Sequence, residues 1–374
     1  MAVSQQPIPC PECGRIKYFE GICMDCRHKK ERVAELALTD EEVRQKQDYV
    51  LGHIEDLADW NSEAYENFRQ CLCGRGIIDA EVQRKAARKG IFYPKELYYH
   101  APEDVRELLL KKLKIPLNHV TTNHIISSLA MQGDEEVLAK FVQWQKMRPF
   151  FWKNSNAGPA QYAMDGNWSF DEAGNRVETG FPKCVELEEK EHTQAGVRIG
   201  KIREDTCPHC GGRLADMLTL DGEDERLRFL GIQGKMTATC CPNCVSMSYG
   251  VFGSYLETGE GTADFPYPEL SEEEENYMDD ESYQALENCR FTLSGERPTF
   301  YGADSTHGWE VAKLGGFAFW IQGADILDCP CCGKPMKFLA QLPWDTITKE
   351  PMEGTLYVEV CTDCRKIGFM HQQT

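Results

Sequence analysis

The chain has 374 residues, 41% of them apolar and 10% aromatic, which is enough for two or three domains with ordinary cores. Its 60 acidic and 41 basic residues give a formal net charge of −19, which argues against nucleic acid as the main partner, because nucleic-acid binders need positive charge to displace counterions. The sequence has no apolar run near the ~18 residues of a membrane span and no basic, apolar secretory leader at its start, so we expect a cytoplasmic protein.

The first predicted element is a zinc-knuckle module at residues 1–32, where the pairs Cys10/Cys13 and Cys23/Cys26 enclose a short hairpin. Two residues between two cysteines let one tight turn present both sulfurs to the same ion, and four thiolates at about 2.3 Å suit tetrahedral Zn²⁺. The pattern occurs twice more, so that twelve of the 18 cysteines form three sets of four. The later sets are Cys207, Cys210, Cys241 and Cys244, and Cys329, Cys332, Cys361 and Cys364.

These three sets predict a metalloprotein of a reducing compartment rather than an oxidised, disulfide-bonded protein. Four thiolates leave no coordination position for water or substrate, which is typical of structural zinc and not of catalytic zinc. We therefore expect three Zn²⁺ ions that stabilise the fold.

Residues 33–150 are predicted to form an α-helical, solenoid-like domain of short antiparallel helices. Thr39 followed by Asp40, Glu41 and Glu42 marks a helix start, with acidic residues in the first turn. Pro102 is expected within the first turn of another helix, and Gly133 separates two more.

Residues 151–184 are rich in aromatic residues, Asn, Gly and Pro, and we interpret them as a connector packed against its neighbours. A surface on which a ligand stacks is the alternative function for the same residues. Both interpretations concern one set of side chains, namely Trp152, Tyr162, Trp168 and Phe170, together with Phe150 and Phe151 at its start.

Residues 185–374 look duplicated, with two zinc-ribbon-like β-rich halves at 185–255 and 300–374. Each half contains C-P-x-C-G followed by an alternating apolar run, then a second C-x-x-C after 30 residues in the first half and 28 in the second. With the helical part before them, these halves predict an α+β protein.

An acidic segment separates the two halves. From Glu257 to Glu287 there are 12 Asp or Glu residues and neither Lys nor Arg, with the densest run at Glu272–Glu275. A solvated loop explains this composition, and a decoy surface for a basic partner is the functional alternative.

Six cysteines remain outside the three sets. Cys241 and Cys332 are preferred over their neighbours Cys240 and Cys331 because they complete a C-x-x-C pair. The other four are interpreted as free buried thiols rather than a fourth metal site. They are Cys71, Cys73, Cys184 and Cys289.

The sequence contains no P-loop, no G-x-S-x-G, no H-E-x-x-H and no Gly-rich dinucleotide turn, so no catalytic residue is assigned and we do not expect an enzyme. His307 precedes Gly308 and Trp309, and we interpret it as a packed or surface histidine in preference to a catalytic one.

The last part of the chain resembles the YwqG-like family of bacterial proteins. The segment from His307 to Gln322, with Gly315-Gly316 and Trp320 inside it, leads into C-P-C-C-G and M-K-F-L-A-Q, which is the order of that family's motifs. Ala318 stands where the family has Pro, so the turn after Gly316 is expected to differ. The resemblance spans about residues 185–374 and implies a β-rich domain with a helical N-terminal extension.

The resemblance also implies a function, because such domains are candidate immunity proteins encoded beside polymorphic toxins. An immunity protein of this kind binds a toxin, for example an ADP-ribosyltransferase or a nuclease, and occludes its active site without catalysis. The acidic balance suits a toxin with a basic surface.

Two other functions stay open from the sequence. The first alternative is a nucleic-acid-associated zinc-ribbon protein, and the basic stretch Arg27–Arg32 is the part of the sequence that favours it. In the second it is an enzyme whose site is built from scattered residues, with His307 and the aromatic connector as the first places to look.

Overall fold

A computed structural model of the chain describes residues 3–192, 195–267, 278–348 and 353–373. Helices dominate its first half and sheets its second, which confirms the predicted α+β class. None of the helices in these ranges combines the length and apolar character needed to cross a bilayer.

The N-terminal module consists of the antiparallel strands β1 (Val3–Pro9) and β2 (Ile16–Phe19) and the helix α1 (Met24–Leu36). Helix α1 continues four residues beyond the predicted boundary at 32. It packs closely on α3 (Glu63–Arg75), where a Cβ atom on Gly74 would lie 2.4 Å from the carbonyl oxygen of Glu35. The module is therefore joined to the helical region by a direct helix contact.

Further helices follow α1, and their ends match local signals. Thr39 caps the next helix in a capping box with Glu42, and Gly133 ends another with a φ of 60°. Pro102 lies at the N-cap, one position before its helix. These helices are α2 (Asp40–Gly52), α4 (Ala80–Lys89), α5 (Glu103–Lys112), α6 (His119–Gln132), α7 (Glu135–Lys146) and α8 (Pro159–Ala163).

Helix α6 lies at the centre of this region and contacts α5, α7 and α8. It buries more than half of its residues, including Ile125, Ile126 and Leu129. Because α6 is apolar on more than one side, α5, α7 and α8 all pack on it, and the contact with α8 reaches beyond its neighbours in the chain.

The aromatic side chains after α7 are mostly internal. Trp152, Tyr162 and Trp168 are each at most 7% exposed, and the indole N–H of Trp168 donates a hydrogen bond of 2.8 Å to the carbonyl of Ala130 in α6. The structure thus agrees with the packing interpretation for these three. The segment also contains the hairpin of β3 (Trp168–Phe170) and β4 (Arg176–Glu178) and the first residues of β5 (Phe181–Glu189).

Two sheets form the rest of the fold. Besides β5, their strands are β6 (Val197–Thr206), β7 (Arg213–Asp221), β8 (Lys235–Cys240), β9 (Val251–Tyr255), β10 (Gly261–Ala263), β11 (Phe291–Arg297), β12 (Lys313–Gly316), β13 (Lys337–Pro343), β14 (Thr355–Cys361) and β15 (Lys366–Gln372). The larger sheet has the strand order β10-β9-β15-β14-β13-β12-β5-β11 and the smaller the order β6-β7-β8, with antiparallel neighbours throughout. The helices among them are α9 (Pro242–Met247), α10 (Asp280–Asn288) and α11 (Trp344–Thr348).

The two proposed halves share one sheet and one core. Strand β9 of the first half pairs with β15 of the second, with Gly253 opposite Ile367. Leu218 of the small sheet and Leu339 and Val358 of the large sheet belong to the same buried cluster. A three-stranded sheet cannot bury its own apolar face, so the halves are completed only by packing together.

The acidic segment is ordered where it is described. Strand β10 lies near its start, and α10, capped by Asp279, packs on β6 through Tyr283 and Leu286. Residues 268–277, which include the densest acidic run, lie outside the described residues. The predicted loop therefore contains a strand and a helix at its two ends.

Gly315 and Gly316 end β12 with φ values of 67° and 68°. A Cβ atom on Gly315 would lie 2.3 Å from the carbonyl oxygen of Lys183 in the paired strand. We expect Gly315→Ala to lower the free energy of unfolding by about 2–4 kcal/mol, because positive φ and steric overlap both oppose the new methyl group. The midpoint of urea unfolding measures this.

The matched control is Gly295→Ala in β11, where a Cβ atom meets no neighbour within 4 Å. We expect it to change stability by less than ~1 kcal/mol. Equal effects of the two substitutions would contradict the predicted backbone constraint at Gly315.

Candidate metal centres and the interdomain network

Three clusters of four cysteines form in the structure, and their members are the ones that the sequence spacing predicts. Within each cluster all four sulfur atoms lie within 4.8 Å of one another. Individual Sγ–Sγ distances range from 3.5 to 3.9 Å, close to the ~3.8 Å expected between ligands of a tetrahedral ion with bonds of about 2.3 Å. We call them the first (Cys10, Cys13, Cys23, Cys26), second (Cys207, Cys210, Cys241, Cys244) and third (Cys329, Cys332, Cys361, Cys364) clusters.

Each cluster begins with the same turn. Gly14, Gly211 and Gly333 follow the second cysteine with φ values of 75°, 74° and 68°, and each donates its N–H to the carbonyl of the first cysteine at 2.8–2.9 Å. Sequence reasoning compared only the two later copies. The first copy reads Cys-Pro-Glu-Cys-Gly and carries the same signal, so all three turns were visible in the sequence.

The second pair of cysteines lies at a helix start in the first and second clusters and in a β-hairpin in the third. Cys23 and Cys241 are the N-cap residues of α1 and α9, where free backbone N–H groups favour thiolate charge. A hydrogen bond with the thiol of Cys244 is the largest cause that lowers the pKa of Cys241, to about 6. In the third cluster, Cys361 is instead the last residue of β14, and Cys364 lies in the turn before β15.

Burial also differs among the clusters. Cys207, Cys241 and Cys244 of the second cluster are at most 1% exposed and belong to the core between the two sheets. In the third cluster Cys332 is exposed. Loss of a ligand from the second cluster will therefore disturb more of the packed interior than loss of Cys332.

The other six thiols stay outside the clusters found in the described ranges. This is consistent with the choice of Cys241 over Cys240 and of Cys332 over Cys331. Cys331 is exposed and the remainder are buried, namely Cys71, Cys73, Cys184, Cys240 and Cys289.

A second group of polar residues joins the three parts of the chain, and we call Glu35, Arg69, Asp304 and His307 the interdomain network. Glu35 comes from α1, Arg69 from α3, and the other two from the loop before β12. All four side chains are at most 8% exposed. Arg69 donates to Glu35 at 2.6 Å and to the Nδ1 atom of His307 at 3.1 Å, and pairs with Asp304 at 3.7 Å.

His307 is a packed histidine, 1% exposed. Because an arginine only donates, Nδ1 of His307 accepts, and the proton resides on Nε2, which lies 3.4 Å from Glu31. Burial lowers the pKa of His307 to about 4, so that the ring is neutral at pH 7. The neutral tautomer holds the β-rich region to α1 and α3.

Comparison with known proteins gives one distant resemblance. The chain is 28% identical over 353 residues to the uncharacterised protein YpfL of Salmonella typhimurium strain LT2, an alignment that covers 90% of this chain and 78% of that protein. No family model matches the chain, and no solved structure matches it significantly.

The titration of His307 predicts a dependence of stability on pH. Its pKa is lower in the folded chain than the value of about 6.5 in an unfolded chain, so the unfolded state takes up the proton first. The stabilisation present above pH ~6.5 is then lost as the pH falls towards 4. We expect His307→Gln, whose amide oxygen still accepts from Arg69, to reduce the acid loss by on the order of 2 kcal/mol between pH 6.5 and 4.5.

Urea unfolding at several pH values compares the variant with the wild type. Burial raises the pKa of Glu35 to about 7, so its effect on the pH dependence of stability is opposite to that of His307. Glu35 is present in both proteins, so the comparison isolates His307. His192→Gln, at an exposed position, serves as the control and should keep the wild-type dependence. A variant curve parallel to the wild-type curve would show that His307 does not titrate as described.

The basic stretch Arg27–Arg32 lies on α1 and is largely paired with acidic residues. His28 and Arg32 contact Glu310 at 2.7 and 3.3 Å, and Lys30 forms an ion pair with Glu12. These contacts pair the basic side chains with acidic groups of the same chain. Less positive charge is therefore available for the phosphates of a nucleic acid than the sequence indicates.

Proposed function

We propose that the chain is an immunity protein that binds a cognate bacterial toxin, for example an ADP-ribosyltransferase or a nuclease, and occludes its active site. The observation that carries this proposal is the chemistry of the three clusters. Each offers four thiolates to one ion, which leaves no coordination position for a substrate. The strongest chemical features of the chain thus support a scaffold that works through its outer surface.

The metal in this proposal is Zn²⁺, one ion per cluster. Four thiolates at tetrahedral spacing are the donor set of structural zinc, and the positive-φ glycine after each first pair permits the tight turn that presents them. When bound, the ions cross-link strands and helices that are far apart in sequence. The residues that would hold them are the twelve of the three clusters.

The partner in this proposal has a basic surface. The net charge of −19 favours fast association with such a protein and would disfavour an acidic one. Described acidic groups that are strongly exposed include Asp280 on α10 and Glu257 after β9. Both lie within the acidic segment, and each also forms a surface ion pair, Asp280 with Arg213 and Glu257 with Arg365.

Co-expression tests the function. The proposal requires a toxin gene beside the gene for this chain. That gene is expressed in a sensitive host with and without this chain, and growth is expected to be rescued only when both are present. The purified proteins should form a complex whose association rate falls as salt is raised from about 50 to 500 mM. Failure of rescue together with failure to associate would refute the proposal.

A further inference from the structure

A cavity of about 400 Å³ lies between the helical region and the β-rich region. Its lining comes from α3, α6, the turn at residues 93–96 and the segment 300–324. This volume is in the range of small-molecule sites, which is about 300–1,000 Å³. Because both regions contribute walls, the cavity exists only when they are packed together.

Aromatic rings form much of the wall. Phe300 and Phe317 stack on each other with centroids 4.3 Å apart, and other rings surround the space. Such rings bind apolar groups and attract cations to their faces. The further aromatic lining residues are Tyr65, Phe68, Tyr93, Phe319 and Trp320.

The positive groups of the lining already have partners. Lys95 Nζ lies 2.5 Å from Asp165 Oδ1, and Arg69 is held by Glu35 and Glu66 at 2.6 and 2.8 Å. Burial lowers the pKa of the lining residue His124, so that its ring is neutral at pH 7 and adds no positive charge.

Two carboxylates of the lining have fewer partners than these positive groups. Glu96 forms no salt bridge with any of the described residues, and burial is the largest cause that raises its pKa. Asp304 is 8% exposed; its Oδ1 atom lies 3.7 Å from Arg69 and accepts hydrogen bonds from the N–H groups of Thr306 and His307, whereas its Oδ2 atom has no hydrogen-bond partner within the described part of the chain. The cavity therefore combines aromatic walls with a half-buried carboxylate that has no ion-pair partner in the described ranges, Glu96, and one buried carboxylate oxygen without a hydrogen bond there.

We propose that this cavity binds a small organic amine, with the ammonium group near Glu96 and Asp304 and the apolar body against the aromatic wall. An ammonium group supplies the positive charge that Glu96 lacks and an N–H donor for the Oδ2 atom of Asp304. A neutral alcohol of the same shape supplies a donor but no positive charge, and a carboxylate supplies neither. This inference is independent of the proposed toxin partner, and its failure would leave that proposal standing.

Three ligands with a similar phenyl body and different charge test it: 2-phenylethylamine, 2-phenylethanol and 3-phenylpropionate. Each is titrated into the full-length, metal-loaded protein and followed by calorimetry. We expect the amine to bind at least about tenfold tighter than the alcohol, and the carboxylate not to bind. Equal binding of amine and alcohol, or no binding of the amine, would overturn the proposal.

The matched variants are Glu96→Gln, which removes the charge inside the cavity, and Glu55→Gln, which removes one from the exposed pair with Lys89. We expect the first to weaken the amine at least about tenfold and the second to leave its affinity unchanged. Unchanged amine affinity in a folded Glu96→Gln protein would also overturn the proposal. If thermal melting shows that this variant is unfolded, the comparison of the three ligands on the wild type decides.

Discussion

Cys241→Ser is expected to reduce the proposed complement of three zinc ions to two and to destabilise the β-rich region by at least about 4 kcal/mol. Structural zinc contributes about 10–16 kcal/mol to the folding of small zinc domains, and a serine is a poor replacement for a thiolate ligand. Cys241 is fully buried and is the N-cap of α9, between the small sheet and β9. Metal analysis by mass spectrometry and thermal unfolding measure the two effects.

The control for this substitution is Cys331→Ser. Cys331 is exposed, adjoins the cluster residue Cys332, and is not a member of the third cluster. We expect Cys331→Ser to bind three zinc ions and to differ from the wild type by less than ~0.5 kcal/mol in its free energy of unfolding. Fewer than three zinc ions in the wild type, or three in Cys241→Ser, would show that the ligand assignment is wrong.

Arg69→Met is expected to lower the free energy of unfolding by about 3–5 kcal/mol, because it leaves buried carboxylates without their cation. Arg69 is 3% exposed and links Glu35 of α1 to Asp304 and His307 of the β-rich region. The substitution should also loosen the contact between these parts. Urea unfolding followed by circular dichroism measures the loss.

Arg84→Met is the matched control, since Arg84 pairs with Glu81 and Asp104 at the surface, where both acids are more than half exposed. We expect it to cost less than ~1 kcal/mol. The double variant Arg69→Met, Glu35→Gln should be more stable than Arg69→Met alone, because one uncompensated charge has been removed. Similar losses for Arg69→Met and Arg84→Met would show that the interdomain network contributes no more than a surface pair.

Local signals predicted local structure well. The cysteine spacing identified the members of each cluster because a C-x-x-C turn depends only on adjacent residues. The start of α2 at Thr39 and the end of α6 at Gly133 follow from capping chemistry in the same way. The positive φ of Gly315 and Gly316 also agrees with what the paired glycines indicate.

Long-range pairing was not readable in the same way. Glu35, Arg69 and His307 are far apart in the chain, and each is an ordinary polar residue when considered alone. The pairing of β9 with β15 likewise depends on how two sheets cover one core, so the sequence indicated two halves of one β-rich domain without showing how they pair. The cavity at the same boundary has no motif, because its lining is drawn from distant segments.

The amino-acid sequence alone determined the three thiolate clusters, the acidic balance and the division into helical and β-rich parts, since each depends on composition or on neighbouring residues. Only the tertiary structure decided that these parts share buried charges and a ligand-sized cavity, and that the two β-rich halves share a sheet. The physical reason is that burial turns weak, scattered polar groups into strong interactions, and burial is a property of the folded chain as a whole.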